Sequence, residues 1–412
     1  MNDAALARHE RDVLAVTAAA HFLVHCTLLV FPALATALGR EFGLPFDRTV
    51  ALGFPMFLLF GLGALPSGLI TDAVGKPRIM LLVCLGGMGA SLLAAARAGT
   101  PEQLRWSLAG LGLFASIYHP AGMAWISRDM RRRGWALGIN GVYGSLGEIA
   151  APVTAGLLAA LLGWRGVYAV LAVPALVALL LAWRGGAGAR PPVQEPAAGG
   201  ARPPRPHVVR AFAALAGAMM LGGIVYRGQT VVLPTWFELR FTAAADWVAG
   251  LGLVSPENAG MVTATALTSL AYLAGAAGQL VGGRLADRHD LRRVYLAFHL
   301  ATIPCLLLMG AASGVGLLAA ALVYSFFAFG MQPPENSLVA SLTPPRLRST
   351  GYGLKFILTF GVGALAVNMV GAWSTDDGGM AVVFPRLAVV AGMLCAMVLV
   401  LMGVSRGMRL RN

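Results

Sequence analysis

The chain has 412 residues, of which 58% are hydrophobic and only 12% charged, with a formal net charge of +13 at neutral pH. A soluble fold carries roughly 25% charged residues, so this composition excludes a water-soluble protein and places the chain in a bilayer. The excess positive charge collects in alternate loops, which reports membrane topology and not a nucleic-acid partner.

Apolar runs of roughly 20 residues, long enough to cross the hydrocarbon, fall at about 13–38, 49–71, 78–98, 104–127, 135–162, 165–184, 208–233, 260–283, 293–312, 314–338, 350–373 and 383–404. They predict twelve transmembrane spans, six in each half. The first follows the mixed-charge start Arg8-His9-Glu10-Arg11-Asp12 without a small-residue cleavage pattern, so it is expected to remain as a helix and not to be removed as a signal peptide. Within it His21 and His25 are four apart and share a face. At about 1.5 Å per residue, His25 reaches roughly mid-membrane.

The second span ends in Gly68-Leu69-Ile70-Thr71-Asp72, followed by Gly75, Lys76 and Arg78. The fourth carries His119 at a depth similar to His25, and Pro120 after it frees a backbone carbonyl one turn earlier, near Ser116. The fifth is glycine-spaced at Gly138, Gly141, Gly144 and Gly147, with Asn140 and Glu148 in the same stretch. The eighth answers with Ala271, Ala274, Gly275, Gly278 and Gly282, and close packing of these two spans between the halves is expected.

Residues 185–207 are rich in Gly, Ala, Pro and Arg and cannot assemble a core, so they read as a linker between a first bundle, 1–184, and a second, 208–412. In the seventh span Arg227, beside Tyr226 and Gln229, is expected to extend outward or to cap the outer side of a cavity. The connection at about 234–259 mixes aromatics with acids and is expected at the outer surface, its aromatic residues forming an interfacial belt.

Gly283-Arg284-Leu285-Ala286-Asp287, followed by Arg288, repeats the first turn 215 positions later, which implies a duplicated unit. His299, near the start of the ninth span, reads as structural. The tenth holds Pro333-Pro334-Glu335-Asn336, and the eleventh holds Lys355, one of two lysines against 29 arginines. Counted from the turn between them, Glu335 and Lys355 lie about 12 and 9 Å deep, so they either pair across antiparallel helices or Lys355 reaches back to the interface. The four cysteines, Cys26, Cys84, Cys305 and Cys395, fall inside predicted helices and are expected to pack as small apolar groups. With the N-terminus inside, 22 of the 31 basic residues lie on the inner side, which places both termini and the linker in the cytoplasm.

The two six-span halves, the doubled GxxxD turn and the glycine-rich fifth span together resemble the major facilitator superfamily over the entire chain. The segments HFLVH, LFASIYHPAG and RRRGWALGINGVYGSLG are similar to the fosmidomycin resistance protein group, a bacterial efflux branch. The resemblance implies an all-α integral membrane fold of two pseudo-symmetric six-helix bundles in the bacterial inner (cytoplasmic) membrane, with spans 1, 4, 7 and 10 lining a central cavity. It also implies gating roles for Gly68, Asp72, Gly75 and Lys76 and, in the second copy, for Gly283, Asp287 and Arg288. Position 73 is Ala where the family's turn usually has Arg, and the fourth span lacks the intramembrane Arg of many drug/proton antiporters.

An ionisable side chain inside a span costs several kcal/mol unless it is paired or faces water. His21, His25, His119, Asn140, Glu148, Arg227, Glu335, Asn336 and Lys355 are therefore the expected substrate and proton pathway. No GxxxxGK[ST] loop, HExxH helix or GxSxG elbow is present, so neither ATP hydrolysis nor these enzyme classes is supported. The expected function is a secondary active transporter working by alternating access on a small organic solute, anionic or zwitterionic. It is expected to be coupled to protons through Glu148 with His25 and His119, to run as an antiporter favouring efflux, and to act as a monomer without a cofactor. The alternative is a transition-metal ion carrier using His21, His25, His119 and Glu335.

Overall fold

The computed structural model describes residues 3–184, 206–343 and 348–408. The expected linker lies outside these except for its last two residues, which begin the helix Pro206–Arg240. Among the described residues nine helices are long and apolar enough to cross a membrane. One of them, Arg133–Arg184, is two arms joined at Gly163, where φ 69° and ψ 169° turn the chain back.

With two further rods that are broken into shorter helices, the arrangement has twelve spans. Span 1 is Asp3–Ala33, with helical hydrogen bonding carried through Leu34 into Ala35–Phe42, and the chain bends by 109° between that helix and Phe46–Leu62. Span 2 combines Phe46–Ala51, Phe54–Leu62 and Ala64–Val74, and span 3 is Pro77–Ala96. Span 4 combines Pro101–Ala115 and Tyr118–Asp129, and spans 5 and 6 are the two arms either side of Gly163. Span 7 is Pro206–Arg240, span 8 Pro256–Arg288 and span 9 Leu291–Ala311. Span 10 combines Gly314–Gly330 and Gln332–Leu342. Span 11 runs from Arg348–Phe356 through the π-helical turn Ile357–Gly361 to Leu365–Ser374, and span 12 is Val383–Val404.

The halves repeat one packing scheme. Span 2 packs on 4 and span 3 on 6 in the first, as 8 packs on 10 and 9 on 12 in the second. Glycine permits the closest approaches: a Cβ at Gly112 would sit 2.0 Å from the Met56 carbonyl oxygen, and one at Gly278 would sit 1.9 Å from that of Phe326. Basic latches repeat too. Arg78, at the start of span 3, donates to the carbonyls of Ala182 and Trp183 at the end of span 6, while Arg292, at the start of span 9, donates to the Ser405 carbonyl after span 12. Large apolar side chains such as Leu161, Leu280 and Val389 are exposed on the outside of the bundle, the surface that lipid would cover.

The halves meet along spans 1 and 7, 2 and 11, and 5 and 8. The glycine stripes differ from expectation here, because most of them serve contacts within a half. Gly144 and Gly147 admit His21 and Phe22 of span 1, and Gly275 and Gly278 admit Phe329 and Phe326 of span 10. Gly156, further along the fifth span, faces span 8 against Thr265, and polar contacts join the same two spans, with Ser145 donating to Gln279 and the Val153 amide to Ser269. The expected aromatic belt is also corrected. Span 7 continues as helix to Arg240, so Trp236 and Phe237 are buried inside the bundle, with Trp236 Nε1 donating to the Met309 carbonyl at 2.7 Å, while Trp247 is exposed. The four cysteines are buried and unpaired by disulfides.

Candidate functional site

The breaks in spans 4 and 10 fall one turn before their prolines. The helix ends at Ala115 ahead of Pro120 and at Gly330 ahead of Pro334, because a proline nitrogen cannot donate to the preceding turn. The first break turns His119 toward span 1. There the rings of His21, His25 and His119 lie 4.9, 5.1 and 5.6 Å apart by centroid.

His21 Nδ1 lies 2.7 Å from the Asn140 carbonyl oxygen and 3.2 Å from Asn140 Nδ2, so both the backbone and the side chain of Asn140 hold this ring. Gly144 makes room for this ring, since a Cβ there would stand 2.5 Å from His21 Cε1. Tyr118 stacks on His21 at 4.9 Å, and its hydroxyl lies 2.7 Å from Asn140 Oδ1 and 2.9 Å from the Thr17 carbonyl. His25 Nδ1 approaches Glu148 Oε1 at 3.3 Å, and the same oxygen accepts from the Tyr226 hydroxyl of the other half at 3.2 Å. His119 Nε2 is buried without a hydrogen-bond partner among the described residues.

Of the two expectations for Arg227, outward extension is contradicted by its position. It is 3% exposed and lies thirteen residues, or about 20 Å at the helical rise, before the end of span 7, too deep to extend outward. Its guanidinium carbon stands 3.7 Å from the centroid of the Phe57 ring, a cation–π contact with span 2. Nε and Nη1 are buried with no hydrogen-bond partner among the described residues, as is Gln229 Nε2 two positions on. Glu148, Tyr226 and Tyr272 lie within its electrostatic reach.

A second charged cluster sits wholly in the second half. Lys355 Nζ is 2.9 Å from Glu335 Oε1 and 2.5 Å from Asn336 Oδ1, and the Tyr295 hydroxyl donates to Glu335 Oε2 at 2.6 Å. The pair expected across antiparallel spans is thus formed, and Lys355 does not reach back to the interface. His299, expected to be structural, packs beside this cluster with its ring edge-on to Tyr295 at 4.5 Å. Tyr118 and Tyr295 are invisible as candidate site residues in the sequence, because a tyrosine in an apolar run reads as packing; Tyr226 stands out there only as a neighbour of Arg227.

Among the described residues, His21, His25 and His119 are the grouping of metal-type donors that converges, with one ligand atom from each within 4.8 Å of the others. Glu335, the fourth residue of the metal alternative, does not join them. Its two oxygens are taken by Lys355 and Tyr295.

The doubled turns form as a pair. Gly75 ends the Ala64–Val74 helix with φ 63°, and a Cβ at Gly68 would meet Pro120 at 3.5 Å as one at Gly283 would meet Pro333 at 4.0 Å. Lys76 and Asp72 are exposed, and Asp72 has no ion pair among the described residues. Asp287 and Arg288 are likewise exposed at the end of span 8. The buried carboxylate at this end of the first half is instead Asp129, 1% exposed, which accepts from Trp125 Nε1 at 2.9 Å and Arg128 Nε at 2.7 Å and contacts His9 Nε2 at 2.9 Å. Arg128 Nη1 then donates to the Gly75 carbonyl, tying Asp129 to the turn.

Comparison with known proteins adds the following. The family model described as Major Facilitator Superfamily matches residues 14–256 and 242–411. The nucleoside transporter NupG, solved as a mutant form, superposes with a TM-score of 0.71 at 14% identity over 94% of this chain and 99% of that chain. A bacterial homolog of the human lysosomal transporter Spinster, inward-facing and unoccupied, gives a TM-score of 0.67 at 14% identity over 96% and 95% of the two chains. The puromycin resistance protein pur8 of Streptomyces alboniger is 36% identical over 111 residues, which are 26% of this chain and 22% of that protein's length.

Proposed function

Because the chain belongs to the Major Facilitator Superfamily and is therefore a multi-pass membrane transporter and not an enzyme, we propose that it is a proton-driven antiporter that exports a small zwitterionic organic solute. The observation that carries this reading is the juxtaposition of Arg227, buried with two unpartnered N–H groups, and Glu148, whose carboxylate is lightly held by His25 and Tyr226. An unpaired buried guanidinium favours a substrate carboxylate or other anionic group, for which its planar fork is suited. Glu148 favours the solute's cationic group.

Coupling follows from competition. A proton and a substrate ammonium cannot both hold Glu148, so loading one on a given side requires release of the other, which is antiport. His25, and His119 beyond it, supply the next proton acceptors, while His21 is fixed by Asn140. Export is supported by the short similarity to a puromycin resistance protein and by the segments similar to the fosmidomycin resistance protein group. The basic-residue bias supports both termini and the 185–207 linker on the cytoplasmic face of a bacterial inner membrane. The gating assignment of Asp72 and Asp287 stays with this proposal, with Asp129 added as the buried carboxylate that anchors the first turn. A metal ion is not proposed as cargo, because Glu335 is committed to Lys355.

Energised everted membrane vesicles with a pH-sensitive dye provide the test, using panels of zwitterions, organic anions, organic cations and divalent metals. A zwitterion should dissipate the pH gradient in wild-type vesicles and fail to do so with Glu148→Gln or Arg227→Gln. Dissipation only by cations or metals, or dissipation that survives both substitutions, would contradict the reading.

A further inference from the structure

A strip of aromatic rings runs beside Arg227 and joins the two halves. Phe57 lies under the guanidinium at 3.7 Å, and Phe60, one turn further along span 2, meets Phe360 of span 11 at 5.4 Å. Phe360 stacks with Phe356 at 5.5 Å and 23° and meets Tyr226 at 6.4 Å, and Phe356 stacks on His119 at 4.6 Å and 29°. Tyr226, Phe356 and Phe360 keep partial exposure, while Phe57 and Phe60 are buried behind them.

The backbone is shaped around this strip. The π-helical turn Ile357–Gly361 interrupts span 11 at the aromatic positions, and such turns inside α-helices mark functional sites. A Cβ at Gly61 would sit 2.1 Å from the Gly361 nitrogen, and one at Gly223 would sit 2.0 Å from the Thr359 carbonyl oxygen. Glycine on the facing helices is what lets the Phe60 and Phe360 segments touch.

We infer that the transported solute carries an aromatic ring, held by Phe60, Phe356, Phe360 and Tyr226 while its charged end lies between Arg227 and Glu148. This inference rests on the zwitterion reading, and it makes the substrate class an aromatic zwitterion of amino-acid-like size. Offset or edge-on ring contacts discriminate an aromatic from a saturated ring of equal volume by roughly three- to tenfold in affinity.

The test uses the full chain purified in detergent and ligand-induced thermal stabilisation, with four probes: L-phenylalanine, 3-cyclohexyl-L-alanine, 2-phenylethylamine and 3-phenylpropionate. L-Phenylalanine should bind roughly three- to tenfold more tightly than cyclohexylalanine, and the preference should vanish in Phe356→Leu and Phe360→Leu. Equal or tighter binding of cyclohexylalanine to the wild-type protein overturns the inference whether or not the variants fold, as does a preference that survives both substitutions, or no binding by any probe. If 2-phenylethylamine or 3-phenylpropionate binds as tightly as phenylalanine, the aromatic site is upheld and the zwitterion reading fails instead.

Discussion

In the first half, the buried carboxylate Glu148 is shared between His25 of its own half at 3.3 Å and Tyr226 of the other half at 3.2 Å. In the second half, Glu335 is held by Lys355 at 2.9 Å and Tyr295 at 2.6 Å, all within that half. The shorter, self-contained cluster balances its own charge and rides with its bundle. The longer one spans both halves, so the alternating access proposed above would require it to break, and beside it Arg227 is left with no hydrogen-bonded anion among the described residues. Two duplicated bundles thus hold the same kind of buried acid differently, one wholly within its half and one shared between halves.

The largest effects expected from this comparison are on stability in the second half. Glu335→Gln or Lys355→Met strands a buried charge and should each cost about 3–5 kcal/mol, with the double variant losing less than the sum, as read by denaturant unfolding in detergent. Additive losses would show that the pair is not a unit. Arg227 should respond in the opposite sense. Arg227→Met removes an unsatisfied buried group, so unfolding should become harder by roughly 1–2 kcal/mol while substrate binding weakens by roughly 30-fold or more. Loss of stability in that variant would mean that Arg227 has a structural partner.

The tyrosines sharpen the contrast at about 1 kcal/mol each. Tyr295→Phe should lower stability with little change in transport, and Tyr226→Phe should change transport kinetics with little change in stability. The smallest effect concerns acid. The hydrogen bonds from Arg292 hold the Asp290 carboxyl, outside the spans, below the ordinary carboxylate range. A depressed folded-state value contributes stability above the unfolded value that is lost as pH falls through the folded one. Wild type should therefore lose slightly more thermal stability than Asp290→Asn on acidification from about pH 5 to 3. The equivalent latch in the first half, Arg78, bonds only carbonyls and should show no such difference.

The fold is legible in the sequence because its determinants are local: apolar length, doubled turns and basic loops. The candidate site is legible where the depth of an ionisable residue can be counted from a nearby span end. Glu335 and Lys355 can be paired by counting helical rise from one turn, and the three histidines by shared depth. Arg227 escapes such counting because its depth depends on span 7 continuing as helix to Arg240, through residues that look like a loop. The tyrosines and the aromatic strip escape it because a ring in an apolar run carries no sign of which neighbour it faces. Asp129 is hidden because its partners, His9 and Trp125, come together only when the start of span 1 lies against the end of span 4.

The central claim is that Glu148 carries the coupled proton. The direct measurement is transport by Glu148→Gln in proteoliposomes, comparing exchange with accumulation against a gradient. Glutamine can still accept a hydrogen bond from the substrate but cannot titrate. Exchange of labelled substrate should therefore persist at raised substrate concentration, while accumulation driven by an imposed pH gradient should be lost. A variant that concentrates substrate as the wild type does would show Glu148 to be structural and would move the coupling site to His25 or His119.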